Sequence, residues 1–379
     1  MINTFIIYTF VFLILWLLAF VASNRVVTCQ GNIDEIPFFT WEIIVSLALF
    51  TFVFGFRYDV GIDYVNYEYY YLFPEGSDAD EYLYCWVSKA LSAIGAPTEF
   101  FFSFWVFLQF FFLLYAFKEH RYLYPYLILV FIFGQYFLLW MNVIRQDLAF
   151  CIFLFSIKYI VERKFWMFFL LLFIAFGIHK SAILLIIFYP IFIYNEDYTK
   201  KLKIWMQLSL LLMCAFIYAS NFNILGDIDT LLGLYLGGTD YERYSKGAIE
   251  QTTTDSVVGI SFLSNLVIDI IVILYSNKLK EYYSSKYFLI FYNLYFIGAL
   301  LGLLFGNSFI LLRPVRYFRF YKLAIVPYLL YYLYQNKEEY TRFISYCGLL
   351  FMYVLQYVAI FFTSPDSKYQ YHNILWREI

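Results

Sequence analysis

Apolar runs long enough to cross a bilayer recur from one end of the chain to the other. The first extends from about residue 5 to 22. No basic segment precedes it and no small-residue cleavage site follows it, so we expect a retained membrane span and not a signal peptide. Further runs lie at about 37–56, 99–117, 123–141, 147–161, 165–178, 180–194, 204–220, 258–276, 287–306, 318–334 and 343–362. The pattern predicts an all-α polytopic integral membrane protein with about twelve transmembrane helices.

The composition leaves little room for a soluble domain. Hydrophobic residues make up 63% of the chain, charged residues make up 14%, and the mean hydropathy is +0.69. Soluble globular proteins have about 45–50% apolar and about 25% charged residues. We therefore expect a single transmembrane domain over residues 1–379.

Several classes of function are disfavoured. A net charge of −2 argues against a nucleic-acid partner. The five cysteines are scattered, without a CxxC motif or a Cys/His cluster, so we expect neither a disulfide framework nor a metal site. P-loop, GxSxG and HExxH motifs are absent from the sequence, which disfavours nucleotide-driven transport and serine or zinc hydrolysis. We expect no cofactor.

Two longer loops, at about 57–98 and 221–257, fall on one side of this topology. Short basic connectors fall on the other side, which the positive-inside rule assigns to the cytoplasm. Arginine is more frequent on the outer side, which holds Arg57, Arg145, Arg243, Arg313, Arg316, Arg319 and Arg377. Because arginine binds phosphate through two parallel hydrogen bonds, this excess favours a phosphorylated ligand there, although ordinary loop charge is an alternative.

Two polar segments border the apolar runs on this side. In the first, residues 56–67, Arg57 is expected to bind a phosphate and Asp63 a hydroxyl of the substrate. Alternatively, the two side chains form an ion pair at the membrane interface. The second, residues 141–147, is predicted to open a helix, whose first N–H groups would form an anion site together with Arg145. A simple turn that pairs Arg145 with Asp147 is the alternative.

Three further features could carry chemistry. His179 lies beside apolar runs and could accept a proton near neutral pH, or it could be a hydrogen-bonded structural residue. Arg313, Arg316 and Arg319 are spaced to share one helix face, where they would bind phosphate or lipid headgroups. Asp269 lies within a predicted span, as a functional acid or as a link to a neighbouring helix.

The order of these motifs resembles the EpsG family of bacterial polysaccharide polymerases, which are related to the Wzy-type O-antigen polymerases. The matching positions are Arg57, Gly61, Asp63, Tyr64, Arg145, Gln146, Ala149, Ala175, His179, Ser181, Arg313, Tyr317 and Phe318. The sequence departs from the family pattern at Gly177 and Ile178, where an aromatic residue is common, and Arg316 and Arg319 are additional.

The resemblance implies a GT-C-like fold in the bacterial inner membrane. It implies transfer of a growing glycan from undecaprenyl pyrophosphate to the non-reducing end of a new lipid-linked repeat unit, in a pathway with a flippase and a chain-length regulator. We expect His179, or else Asp63, to be the general base. The remaining positions are expected to bind substrate or pyrophosphate, namely Arg57, Tyr64, Arg145, Gln146, Ser181, Arg313, Arg316 and Arg319.

Two alternatives remain open. A lipid-linked oligosaccharide flippase or exporter would place its charges in an aqueous central cavity. A membrane O-acyltransferase of polysaccharide would use the histidine to move an acyl group supplied from the cytoplasm.

Overall fold

A computed structural model describes residues 2–28, 37–74, 81–220, 258–307, 309–363 and 370–373. These residues form sixteen α-helices, three short 3-10 helices and no β-strand. The predicted all-α class is confirmed. The second predicted loop, 221–257, lies outside the described residues, whereas the first contains two helices.

The chain divides into two compact units, Met1–Tyr194 with Tyr353–Ile379, and Asn195–Met352. The first unit contains α1 (Ile2–Thr28), α2 (Trp41–Gly55), α3 (Tyr64–Leu72), α4 (Tyr82–Ala93), α5 (Thr98–Ala116), α6 (Tyr124–Phe133), α7 (Tyr136–Asn142), α8 (Ile144–Val161), α9 (Phe165–Ile178) and α10 (Phe188–Tyr194). The second contains α11 (Ile204–Ala219), α12 (Ile260–Tyr282), α13 (Lys286–Leu304), α14 (Phe309–Arg319), α15 (Tyr321–Gln335) and the first part of α16 (Tyr340–Thr363).

Among the residues that the structure describes, five helices are long and apolar enough to cross a bilayer, namely α1, α5, α12, α13 and α16. A sixth candidate is a bent pair, Lys118–Phe133 with Tyr136–Asn142, whose two parts meet at 62°. Shorter apolar helices cover Trp41–Gly55, Phe165–Ile178, Lys180–Tyr194 and Ile204–Ala219. The protein is therefore a polytopic membrane protein, and the count of twelve spans stays a prediction.

In the first unit, α8 is the central helix and packs against α5 and α9. Residues 146–154 of α8 are all buried. The polar residues of this unit collect at its two ends. At one end, Arg25 pairs with Glu42 and Lys158 pairs with Glu119. The opposite end holds the start of α8, the end of α9 and the short helices α3 and α4.

In the second unit, α13 packs against α11, α14 and α15. Asp269 of α12 accepts a hydrogen bond from the Tyr295 hydroxyl at 2.8 Å, and Lys322 Nζ lies 2.8 Å from the same carboxylate. Asp269 therefore links α12 to α13 and α15. This is the structural role, a link to a neighbouring helix, that the sequence allowed for it.

Candidate functional site

Glu81, the residue before α4, connects two of the predicted site residues. One carboxylate oxygen contacts Nδ1 of His179, and the other forms an ion pair with Arg145. Glu81 is 7% exposed, while the side chains of His179 and Arg145 are 21% and 32% exposed. The cluster of Glu81, Arg145 and His179 is thus anchored in the protein and open on one side.

The termini of two helices position the partners of Glu81. Arg145 is in the first turn of α8, and His179 follows the last residue of α9 in an extended conformation. Because α8 and α9 are joined by a short turn at 162–164, their opposite ends lie side by side. Gly177 allows Glu81 to reach them, since a Cβ there would lie 2.8 Å from the Leu83 Cβ of α4.

The charges within the cluster affect the Glu81 carboxylate. Burial alone would raise its pKa, but the hydrogen bond from His179 and the charge of Arg145 hold that pKa below its usual range. Glu81 is therefore an anion at neutral pH. An ionised carboxylate facing Nδ1 favours a proton on Nδ1, which leaves the lone pair of Nε2 for another partner.

Two tyrosine rings flank the Arg145 guanidinium. Its Cζ lies 5.7 Å from the Tyr67 ring centroid and 5.2 Å from that of Tyr84. Both tyrosines are buried, and they come from α3 and α4. Cation–π contacts of this kind restrict the guanidinium to a narrow range of orientations.

The loop that leads into α3 is fastened to the junction of α7 and α8. The Ile62 N–H donates to Oδ1 of Asn142 at 2.6 Å. Arg57 is 1% exposed and donates to the carbonyls of Phe54, Val60 and Met141. Burial lowers the pKa of Arg57 to about 10, so the group is a cation at neutral pH.

The other predicted positions of the first unit lie on the same elements. Asp63 is half-buried and precedes α3, and its carbonyl accepts from the Tyr67 N–H at 3.1 Å. Tyr64 is buried and stacks on Phe102 at 4.6 Å. Gln146 is buried in α8, and Ser181 is half-buried in the 3-10 helix Lys180–Ile187.

The three arginines of the late motif belong to the second unit. Arg313 and Arg316 are partly exposed and Arg319 is exposed, all on α14. The stem of Arg319 lies over Gly302 of α13, where a Cβ would come within 2.9 Å of it.

Sequence reasoning missed Glu81. Its contacts with Arg145 and His179 span 64 and 98 positions, so no local pattern marks it. In the ranges that the structure covers, no group of three or more His, Cys, Asp or Glu could hold a metal ion.

A protein-family model described as the EpsG family matches residues 40–373. No curated protein and no solved structure matches the chain.

Proposed function

The chain belongs to the EpsG family, and from that premise we propose that it is a membrane glycosyltransferase that polymerises lipid-linked oligosaccharide repeat units on the extracytoplasmic side. The family supports a polysaccharide polymerase in general terms. The observation that carries the finer proposal is the contact of Glu81 with both His179 and Arg145. It joins a potential base to a potential anion-binding group.

In the proposed reaction, a hydroxyl oxygen of the new repeat unit attacks the anomeric carbon of the growing glycan. His179 Nε2 takes the hydroxyl proton as the new glycosidic bond forms. The bond between the anomeric carbon and the pyrophosphate oxygen breaks, and its electron pair leaves with undecaprenyl pyrophosphate. Glu81 orients the imidazole and stabilises the imidazolium that forms. Asp63 is the second candidate for the base.

Arg145 is the proposed pyrophosphate ligand in the first unit. Its guanidinium has five N–H donors, of which Glu81 engages only some, and the side chain is 32% exposed. A fixed cation that faces a developing phosphate charge stabilises the transition state without reorganisation. Ser181 is proposed as a nearby substrate-binding residue, whereas Tyr64 and Gln146, which are 1% and 2% exposed, are proposed to support the site from within the protein.

Arg57 is proposed to be a structural residue and not a pyrophosphate ligand. Three backbone carbonyls already accept from its guanidinium, and it is almost fully buried. We propose that it holds the loop before α3 in position. Arg313, Arg316 and Arg319 remain proposed phosphate ligands of the second unit.

The test uses purified full-length protein and its lipid-linked repeat units, without nucleotide or added metal, analysed on a gel. A ladder of lengthening products is expected. His179→Ala should slow the ladder by about 10²- to 10⁴-fold, and Arg145→Ala by about 10²- to 10³-fold. His120→Ala and Arg163→Asn are matched controls, because both residues lie away from the cluster.

Each outcome separates the candidates. A ladder that survives His179→Ala but is lost in Asp63→Asn would move the base to Asp63. A folded protein that makes no ladder but moves a single repeat unit across vesicle membranes would be a flippase. Acyl transfer to glycan without elongation would establish the acyltransferase.

A further inference from the structure

An apolar groove of about 720 Å³ runs between α2 and α5 in the first unit. Nine of its twelve lining residues are apolar. Ile44 and Ala48 lie on its α2 wall, and Phe100 and Phe107 lie on its α5 wall. Both helices lie in predicted membrane spans, so the groove is a place for a lipid and not for a polar substrate.

The polar lining residues are graded along the groove. Glu99 is in the first turn of α5, and Ser103 lies on the same face four residues further on, which is about 6 Å along the helix axis. Thr51 lies four residues before the end of α2, at the same end of the groove. From this end inward, the lining passes from a carboxylate to two hydroxyls and then to hydrocarbon.

Of the three polar groups, Glu99 is the one that a ligand in the groove can reach. It is partly exposed and forms no ion pair with any residue in the ranges described. The hydroxyl oxygens of Thr51 and Ser103 have almost no accessible surface, and Ser103 Oγ lies against Gly55 of α2.

We propose that the groove binds a glycerophospholipid whose headgroup carries a primary ammonium. The ammonium pairs with Glu99, and an acyl chain lies along the apolar walls. The polyprenyl pyrophosphate carrier fits less well, because its two phosphates would face the Glu99 carboxylate. The site is thus distinct from the proposed catalytic cluster.

Lipid binding in the groove should affect the catalytic cluster, because α5 packs against residues that surround the cluster. The Phe102 ring of α5 faces the Arg57 guanidinium, and its centroid lies 4.7 Å from Arg57 Cζ. The ring centroids of Phe101 and Tyr84 are 6.4 Å apart. A lipid that fills the groove supports the opposite face of α5. It should therefore raise the thermal unfolding midpoint of the protein.

The test is lipid binding to delipidated full-length protein, measured by native mass spectrometry. The probes are dioleoyl phosphatidylethanolamine and dioleoyl phosphatidylglycerol, which differ only in the headgroup. The wild type should prefer the ethanolamine lipid by about fivefold, the size expected of one partly exposed ion pair. Glu99→Gln should remove this preference, and Glu68→Gln, outside the groove, should retain it.

Equal binding of both headgroups to the wild type would show unselective boundary lipid and overturn the proposal. Displacement of the ethanolamine lipid by polyprenyl pyrophosphate would overturn it in favour of the carrier. Neither readout depends on polymerase activity.

Discussion

Glu81 faces opposing electrostatic effects. Its burial disfavours a charge, whereas His179 and Arg145 favour one, and the lowered pKa of its carboxyl shows that the partners prevail. A buried carboxylate that is held as an anion costs free energy unless its partners remain in place. Removal of Glu81 should therefore impair the orientation of His179 more than the stability of the whole unit.

The first prediction concerns pH and stability. Because the folded-state pKa of Glu81 is lowered, its contribution to the free energy of unfolding is complete above the unfolded value, about 4.5, and is lost as the pH falls through the folded value. The difference in thermal unfolding midpoint between wild type and Glu81→Gln should shrink as the pH falls below about 4.5. A difference that grows in acid would contradict the assignment.

The cluster could be predicted from sequence only in part. Arg145 and His179 were identifiable because they are polar residues at the borders of apolar runs. Glu81 was not, because it lies in a polar loop where acids are common and its partners are distant in sequence. Arg57 was identified, but the three carbonyls that engage its donors follow from the path of the backbone and leave no trace in residue types.

At the scale of elements, the loop between α2 and α3 depends on Gly61. Its φ is +107°, and a Cβ would lie 2.8 Å from Oδ1 of Asn142, the acceptor for the Ile62 N–H. Gly61→Ala should therefore displace the loop and lower both activity and the unfolding midpoint.

Gly95→Ala is the matched control for Gly61→Ala. Gly95 also has a positive φ, +70°, but a Cβ there would meet nothing within 4 Å. This variant should cost only the backbone strain, of order 1 kcal/mol, and retain activity. Equal loss in the two variants would mean that the contact with Asn142 is unimportant.

A second element-scale prediction concerns the approach of α4 to α9. Gly177→Ala should push Leu83 and its helix outward, moving Glu81 away from His179 and slowing polymerisation. Leu83→Gly removes the Cβ that a Cβ on residue 177 would approach to 2.8 Å, so the double variant should regain activity. A double-mutant cycle on the ladder rate measures this coupling. Additive losses would show that the close approach does not position Glu81.

At the scale of the whole molecule, the all-α fold was predictable because apolar runs of the right length dictate helices in lipid. The positions at which helices break within these apolar runs could not be predicted from the sequence. The run at 123–141 bends by 62° after Gly134, where Gln135 adopts a left-handed conformation with φ +64° and donates to the carbonyl of Gln356. That contact spans 221 positions, so the bend reflects tertiary packing.

The orientation in the membrane decides between the remaining functions. Lys89 of α4 and Lys164 before α9 are both exposed, and they belong to opposite ends of the first unit. In a variant without the five native cysteines, Lys89→Cys should react with a membrane-impermeant maleimide in intact cells, and Lys164→Cys only after permeabilisation. Lys and Arg number 14 on the predicted cytoplasmic side and 12 on the outer side, so the positive-inside rule alone barely sets the orientation and the labelling result is informative. The reverse labelling would place Arg145 and His179 in the cytoplasm, where the carrier-linked glycan is not polymerised in the proposed reaction, and would favour the acyltransferase.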